Sequence, residues 1–225
     1  TFIDDPSEDR PNVRVLVTGS AKTLVQKYLE LFKAAKLELQ ALDTESFALI
    51  RSMNGRDKST LMLIDIGAVR TNVTIVENSV PFFTRSINVG GQSLTEQLMK
   101  QMNMTASEAE QMKSDLSHRA SSTGATIPEI VRSLADPILH EVQYALEWYG
   151  RMDTAEQSRV EKVILCGGSA STPGMDEYIA SALNLNVYVG DPWARVVYPQ
   201  PLGPALEEIG PRFSVAIGLA MREIS

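Results

Sequence analysis

Cysteine, histidine and long apolar runs are all scarce in this sequence. Its 225 residues include a single cysteine, Cys166, so no internal disulfide can form and the chain fits a reducing compartment. The apolar residues before Cys166 predict a buried strand end rather than a catalytic thiol. No apolar run approaches the ~20 residues of a bilayer-spanning helix, so direct membrane insertion is not expected. The histidines, His118 and His140, lack partners at metal-ligand spacing, and no zinc-type site is predicted.

Positive charge is also sparse. The 21 Lys and Arg residues are outnumbered by 28 Asp and Glu residues, which gives a formal net charge of -7. No basic run is present. This excludes a nucleic-acid groove, because a phosphate backbone would be repelled without a basic patch. The chain does have 44% hydrophobic residues, which is enough for a sizeable core in one or two domains.

The segment from Leu61 to Glu77 predicts a hairpin with a special turn. An apolar strand leads into Asp65-Ile66-Gly67, and a second apolar strand begins at Thr71-Asn72. Gly67 allows a close backbone approach and angles barred to other residues, so N–H groups of the turn can point at an anion. Asp65 can hold a hydrated magnesium ion beside the same phosphate groups. The same pattern also builds an ordinary hairpin, and both interpretations stay open here.

Two further features have both a functional and a structural explanation. Gly167-Gly168-Ser169-Ala170 follows an apolar strand, and such small residues leave a flat surface on which a purine could lie. Glycines at such turns also serve packing alone. Glu110 and Lys113 share one face of a predicted helix and could clamp ribose hydroxyls, or form a surface ion pair.

The hydrophobic pattern alternates strands and helices, which predicts an α/β protein. The predicted strands cover residues 13–18, 37–42, 61–66, 72–77, 80–88, 160–165 and 187–189. The predicted helices cover residues 21–35, 44–53, 91–102, 105–116, 127–149, 174–183 and 213–221. Strand, helix and strand at the start of the chain indicate a βαβ-like or split βαβ unit.

Four local patterns add to this outline. The polar break over residues 54–58 predicts a boundary between two lobes. Thr105 and Glu108 have the spacing of a helix capping box. Residues 118–126 are small, polar and rich in helix breakers, which is typical of a loop. The helix over 213–221 is apolar almost all round, so we expect it to be buried on every side.

The order of phosphate turn, Glu-x-x-Lys helix and purine turn resembles the actin/DnaK-like ATPase superfamily. The resemblance implies a nucleotide-binding set and a water-positioning carboxylate at Glu45, the latter in a segment similar to that of the chaperone branch. The implied nucleotide-binding residues are Asp65, Gly67, Thr71, Asn72, Gly91, Glu110, Lys113, Gly167, Gly168, Ser169 and Ala170. Asp65 is also the implied Mg²⁺ residue, through water.

Within the superfamily the chain is similar to the PilM family of FtsA-like type IV pilus assembly proteins. The segments that carry this similarity are ALDTESFALIRSM, LMLIDIGAVRTNVTIVENSVPFFTRSINVGGQSLTEQL and FSVAIGLAMREI. The resemblance implies an α/β actin-like (ribonuclease H-like) fold. It places part of subdomain 1C and a connecting helix in residues 1–58, and the second lobe (2A/2B) in 59–225, with the C-terminal helix returning to lobe 1.

The resemblance also implies a function. The family is cytoplasmic and sits at the inner face of the inner membrane, where it binds the N-terminal tail of the membrane protein PilN in a groove between subdomains 1A and 1C. ATP or ADP with Mg²⁺ is expected as a conformational ligand, with no ATPase activity or a weak one. Other pilus platform proteins are further expected partners, and self-association is left open.

Residues 1–60 supply no counterpart of the superfamily's first phosphate hairpin. The chain is therefore expected to be an N-terminally truncated form, in which nucleotide is weakly held or absent. Two alternatives share the fold. One is a sugar-kinase-like or acetate-kinase-like phosphotransferase, for which no catalytic carboxylate facing a substrate can be assigned. The other is an FtsA-like cell-division filament protein, which should carry a C-terminal amphipathic membrane helix.

Overall fold

A computed structural model describes residues 15–55, 57–119, 129–152 and 159–223, without the side chains of 117–119 and 223. The chain divides into two compact units, residues 1–44 and 45–225. The boundary predicted near residue 58 separates two lobes of the actin-like fold rather than two compact units. It stays a prediction.

The first unit contains helix α1, Lys22–Ala34, which has no buried residue. The predicted helix over 21–35 is therefore confirmed, whereas the strands predicted on either side of it are wrong. Residues 15–18 and 37–42 form no strand apart from an isolated bridge at Val15, and residues 13 and 14 lie outside the described part. An extended apolar segment becomes a strand only when it pairs with a neighbour over several residues, and the described residues 15–18 and 37–42 take part in no strand.

The second unit is built around one five-stranded sheet of order β3-β2-β1-β4-β5. Helix α2, Glu45–Leu49, and a π-helix, Ile50–Asn54, precede it. The strands are β1 (Leu61–Ile66), β2 (Thr71–Glu77), β3 (Val80–Ile87), β4 (Lys162–Cys166) and β5 (Asn186–Val189). All five were predicted to within two residues at each end.

The central strand β1 explains why the hairpin and the later strands meet. Its apolar residues are buried on both faces of the sheet, as a near-continuous apolar run predicts. It pairs antiparallel with β2, so that Asp65 lies opposite Asn72. It pairs parallel with β4, where Asp65 lies beside Cys166. The end of β1 thus joins the turn after it to the glycines after β4. Cys166 is fully buried, as predicted.

Helices cover both faces of the sheet. They are α3 (Gly91–Met102), α4 (Ala106–Arg119), α5 (Glu129–Gly150), α6 (Met175–Leu183) and α7 (Gly203–Ala220), with short 3-10 turns at Gln200–Leu202 and Met221–Glu223. The larger core lies against α3, α5 and α6. A smaller one packs Leu49 and Ile50 against β1 and β4. Among the described residues no helix combines the length and apolar character needed to span a membrane.

Helix α4 begins as the capping-box pattern predicts. The Thr105 N–H donates to Glu108 Oε2 at 2.7 Å, and the Glu108 N–H donates to Thr105 Oγ1 at 3.3 Å. The helix runs further than predicted, so the start of the expected loop at 118–119 is helical, and the rest of that loop lies outside the described residues. On α3, Leu94 and Leu98 are buried, but Met102 is exposed, against the expectation of an inner face.

Two prolines lie inside helices. Pro137 lies within the continuous α5. It is exposed, and its missing N–H leaves the carbonyl four residues earlier without its usual helical donor. Pro211 lies within α7, which begins ten residues earlier than predicted.

The expectation that α7 is buried on every side is wrong. Only its small residues and one proline are buried, while Phe213 and Leu219 are exposed. The close approach of α2 explains this, since a Cβ on Gly218 would lie 1.8 Å from the Ala48 carbonyl oxygen. Small residues let the two backbones touch, and of the larger α7 side chains Val215 packs against the smaller core while Phe213 and Leu219 stay exposed.

Candidate nucleotide-binding site

The turn between β1 and β2 is closed by its own backbone. The Gly67 N–H donates to the Arg70 carbonyl at 3.0 Å. Gly67 does not have the left-handed φ that the sequence suggested. Among the described glycines, positive φ occurs at Gly55, Gly167 and Gly174. It is required for space instead, since a Cβ there would lie 3.0 Å from the Arg70 carbonyl oxygen. Arg70 itself is exposed.

Helix α3 begins directly on this turn. The N–H groups of Gly91 and Gln92 donate to the carbonyls of Gly67 and Ala68, at 2.9 and 2.7 Å. Thr71 is buried, and its hydroxyl donates to the carbonyl of Val89 at 2.8 Å. These bonds place the positive end of the α3 dipole beside the turn, which favours an anion nearby, although the Gly91 and Gln92 N–H groups themselves are bonded to the turn.

Two carboxyl groups, those of Asp65 and Glu45, lie on the other side of the turn. Asn72 Nδ2 donates to Glu45 Oε2 at 3.3 Å, and Ser86 Oγ donates to Asn72 Oδ1 at 2.5 Å. Burial and, to a lesser extent, the charge of Glu45 together raise the pKa of Asp65 to about 6, while a hydrogen bond with Asn72 opposes the shift. Asp65 is therefore a partly buried carboxyl group that a nearby cation would stabilise in its charged form.

The glycines after β4 lie against the Asp65 carboxyl group. Gly167 has φ of 88°, and a Cβ on it would lie 2.4 Å from Asp65 Oδ1. Its N–H donates to the Pro211 carbonyl at 3.0 Å, and the Ser169 N–H donates to the Ile66 carbonyl at 3.0 Å. Only glycine combines this φ with such a close approach.

The Glu-x-x-Lys pair forms a network and not only a surface ion pair. Lys113 Nζ donates to Glu110 Oε1 at 2.8 Å, to Thr95 Oγ1 at 2.9 Å and to the Gly91 carbonyl at 3.3 Å. The Thr95 hydroxyl also contacts Glu110. Burial opposes ionisation of Glu110, but its pKa is lowered by the hydrogen bonds from Lys113 and Thr95 and by the charges of Lys113 and Arg212.

Gly91 is the point at which the predicted segments meet. A Cβ on it would lie 2.2 Å from Ser169 Oγ and 3.6 Å from Lys113 Nζ, while its N–H is bonded to Gly67. The structure thus brings together the phosphate-type turn, the start of α3, the middle of α4 and the glycines after β4. Glu45 and Asn72 lie at the Asp65 end, and Ala170 is buried beneath the second turn.

Three contributing residues were not predicted from the sequence. Thr95 stands four residues after Gly91 on α3, so helical spacing could have placed it on the same face. Ser86 could have been paired with Asn72 from the hairpin register. Arg212 carries no sequence signal, because its position depends on how α7 packs.

The donor set fits a magnesium nucleotide. Asp65 and Glu45 supply hard carboxylate oxygens of the type that Mg²⁺ prefers. The glycines let the two turns and the start of α3 pack closely together, beside the Glu110–Lys113 pair. No cluster of three or more His, Cys, Asp or Glu side chains occurs among the described residues, so the ion would need water or phosphate oxygens as well.

Comparison with known families gives this arrangement a context. The profile of the family described as type IV pilus assembly protein PilM matches residues 2–224. The chain belongs to the PilM family. It is also 25% identical, over 200 residues, to the cell division protein FtsA of Bacillus subtilis (strain 168), a match that covers 79% of this chain and 44% of FtsA.

Solved structures confirm the predicted α/β actin-like fold. One is a PilM-PilN type IV pilus biogenesis complex, with a TM-score of 0.73 and 24% identity over 89% of this chain and 58% of that one. Another is MreB5 of Spiroplasma citri bound to AMPPNP, with a TM-score of 0.65 and 14% identity over 92% of this chain and 66% of that one. The chain therefore spans about half the length of its FtsA and PilM relatives.

Proposed function

We propose that this PilM-family chain binds an adenine nucleotide with Mg²⁺ at the site around Gly91, as a conformational ligand of a pilus assembly scaffold. The observation that carries the proposal is the convergence of four sequence-distant segments there, each with the chemistry suited to a different part of ATP. A hairpin and an ion pair with purely structural roles would not need to lie side by side.

Each part of the site has a role in this proposal. The turn at Gly67 and the α3 N-terminus hold the phosphates, and Asp65 orients a water-bound Mg²⁺ that neutralises phosphate charge when present. Glu110 accepts hydrogen bonds from the ribose hydroxyls while Lys113 fixes its position. Gly168 and Ser169 lie against the base and sugar. Thr71 acts indirectly, since its hydroxyl is bonded to Val89.

A ligand role is favoured over rapid hydrolysis. Glu45 is the candidate for positioning attacking water, and its carboxylate is bonded to Asn72. A single carboxylate of this kind supports slow hydrolysis at best. Binding energy can still select one conformation for a partner.

The proposed partner is the cytoplasmic tail of a PilN-like inner-membrane protein. Family membership and the likeness to a PilM-PilN complex support it. Helix α1 also exposes a large apolar surface, formed by Leu24, Tyr28, Leu29 and Leu31. Such a surface is typical of a protein-binding site. Through this tail the chain would act at the inner membrane beside other platform proteins.

Calorimetric titration of the purified protein with Mg-ADP and Mg-ATP tests the nucleotide site. We expect Asp65→Ala and Gly168→Arg to weaken binding at least about tenfold, which corresponds to about 1.4 kcal/mol. Gly168 has no positive φ and a Cβ there would meet only the Arg212 side chain, so the larger residue should fold. Glu147→Ala, an exposed change on α5, is the control. Unchanged binding in both site variants would refute the assignment.

The FtsA similarity supports a second candidate, a filament-forming protein of the cell-division type. Sedimentation with ATP, with and without lipid vesicles, separates the two. A pilus scaffold should stay in the supernatant until a membrane-anchored PilN-like tail is added, whereas a filament protein should pellet with ATP alone. Rapid phosphate transfer to a sugar or to acetate would instead favour a phosphotransferase.

A further inference from the structure

Arg212 of α7 lies on the second glycine turn. A Cβ on Gly168 would be 3.5 Å from Arg212 Cγ, 3.9 Å from Nε and 4.0 Å from Cδ. The stem of the arginine therefore lines the surface that the sequence left flat for a purine. The side chain is otherwise exposed, so its guanidinium has room to meet a ligand.

The backbone around Arg212 is held firmly. The Pro211 carbonyl accepts both the Gly167 N–H at 3.0 Å and the buried Ser214 hydroxyl at 2.9 Å. On the neighbouring turn, a Cβ at Gly210 would lie 2.9 Å from Trp193 Nε1. The Arg212 side chain therefore extends from a backbone held by hydrogen bonds, and the preceding residue, Pro211, is bonded directly to Gly167.

The charge of Arg212 acts on Glu110, the carboxylate proposed to hold the ribose. Lys113 also faces Glu110, but its ammonium is bonded to Glu110, Thr95 and the Gly91 carbonyl. The two cations therefore differ. Lys113 is hydrogen-bonded to the carboxylate, whereas Arg212 lies against Gly168 and acts on the carboxylate through its charge.

We propose that the Arg212 guanidinium stacks on the base of the bound nucleotide and makes the site selective for purines over pyrimidines. This inference rests on the nucleotide-binding function proposed above. A guanidinium is planar and weakly hydrated, so it stacks on aromatic faces better than an ammonium does. A two-ring purine offers it more surface than a one-ring pyrimidine. Glu110 on the ribose side favours the bound position of the cation.

Affinities of the wild-type protein and its variants for AMP, ADP and CDP test this inference. We expect Arg212→Ala to weaken AMP and ADP by the same factor, about five- to tenfold, and CDP by less than about twofold. Arg212→Lys, which keeps the charge without the plane, should lose most of the purine preference. Arg151→Ala is the control, because Arg151 follows the end of α5 where Tyr149 contacts Glu77, at the other end of β2 from the site.

The possible results separate cleanly. A loss confined to ADP would mean that Arg212 contacts phosphate, and an equal loss for all three ligands would mean a general charge effect. Either result, or unchanged affinities in the Arg212 variants, overturns this inference and leaves the nucleotide site standing. Absence of binding by the wild-type protein would overturn both. Far-ultraviolet circular dichroism checks that each variant is folded.

Discussion

At the scale of single residues, the candidate site contains a carboxyl group in a costly position. Asp65 is partly buried beside Glu45, and ionisation there destabilises the fold. Gly167 lies against Asp65 with a left-handed backbone that glycine adopts freely. Costly positions such as that of Asp65 persist where the surrounding structure enforces them, and they are typical of binding sites.

Asp65→Asn should stabilise the unliganded protein above pH 6. The pKa of Asp65 is raised from 3.8 to about 6 on folding, so the folded state prefers the protonated form. The penalty for ionisation is absent at low pH and grows as the pH rises from 3.8 to 6. Two pKa units correspond to about 3 kcal/mol. We therefore expect a gain of about 2 to 3 kcal/mol in the free energy of unfolding at pH 8 and little gain at pH 4.

Urea unfolding at the two pH values measures this effect. Asp115→Asn, on the exposed surface of α4, serves as the control for a change of net charge. A gain of equal size at pH 4 and pH 8 would show that the ionisation of Asp65 is not its cause.

At the scale of elements, the contact between α2 and α7 links the acidic end of the site to its purine end. Helix α2 begins at Glu45, and α7 carries Pro211 and Arg212. The two helices touch where Gly218 meets the Ala48 carbonyl, and Arg51 Nε donates to the Gly218 carbonyl at 2.9 Å. The position of each side of the site thus depends on the same helix pair.

Gly218→Ala should destabilise the protein by at least about 2 kcal/mol, because the new methyl group would force two backbones apart. Gly203→Ala is the matched control. It adds the same methyl group to the first turn of α7, where nothing lies within 4 Å, and it should be neutral or slightly stabilising. Thermal unfolding of both variants measures the difference. Equal melting temperatures would contradict the tight contact.

At the scale of the whole molecule, the nucleotide would contact segments that lie far apart in the sequence. The turn at Gly67, the middle of α4, the glycines after β4 and α7 all reach the site. A ligand that contacts all of them should bind the folded state alone and shift the unfolding equilibrium towards it.

Mg-ADP at about 100 times its dissociation constant should therefore add about 2.7 kcal/mol to the free energy of unfolding. Asp65→Ala should lose most of this gain at the same ligand concentration. Denaturant unfolding with and without ligand measures it. A gain of the same size from Mg²⁺ and phosphate without a nucleoside would contradict the roles of Glu110 and Gly168.

The roles of the predicted site residues stay predictions, but the structure does bring together the segments that contain them. The carboxylate at Asp65, the pair Glu110 and Lys113, and the double glycine at 167–168 were each recognisable because their spacing reflects local geometry. The strands predicted around α1 were wrong, since an apolar extended segment needs a pairing neighbour that local pattern does not reveal. The exposure of Phe213 was missed for a similar reason, because apolar character does not say which face a helix packs.

The amino-acid sequence by itself determined the α/β class and the hairpin at the centre of the sheet, since these follow from apolar periodicity and glycine placement along the chain. It also carried the resemblance from which membership of the PilM family was expected. Only the tertiary structure showed that Gly91 is the meeting point of the predicted segments and that Thr95 and Arg212 lie beside the candidate site. Those contacts join residues that are far apart in the chain, and they depend on how helices pack on the sheet, which no local pattern encodes.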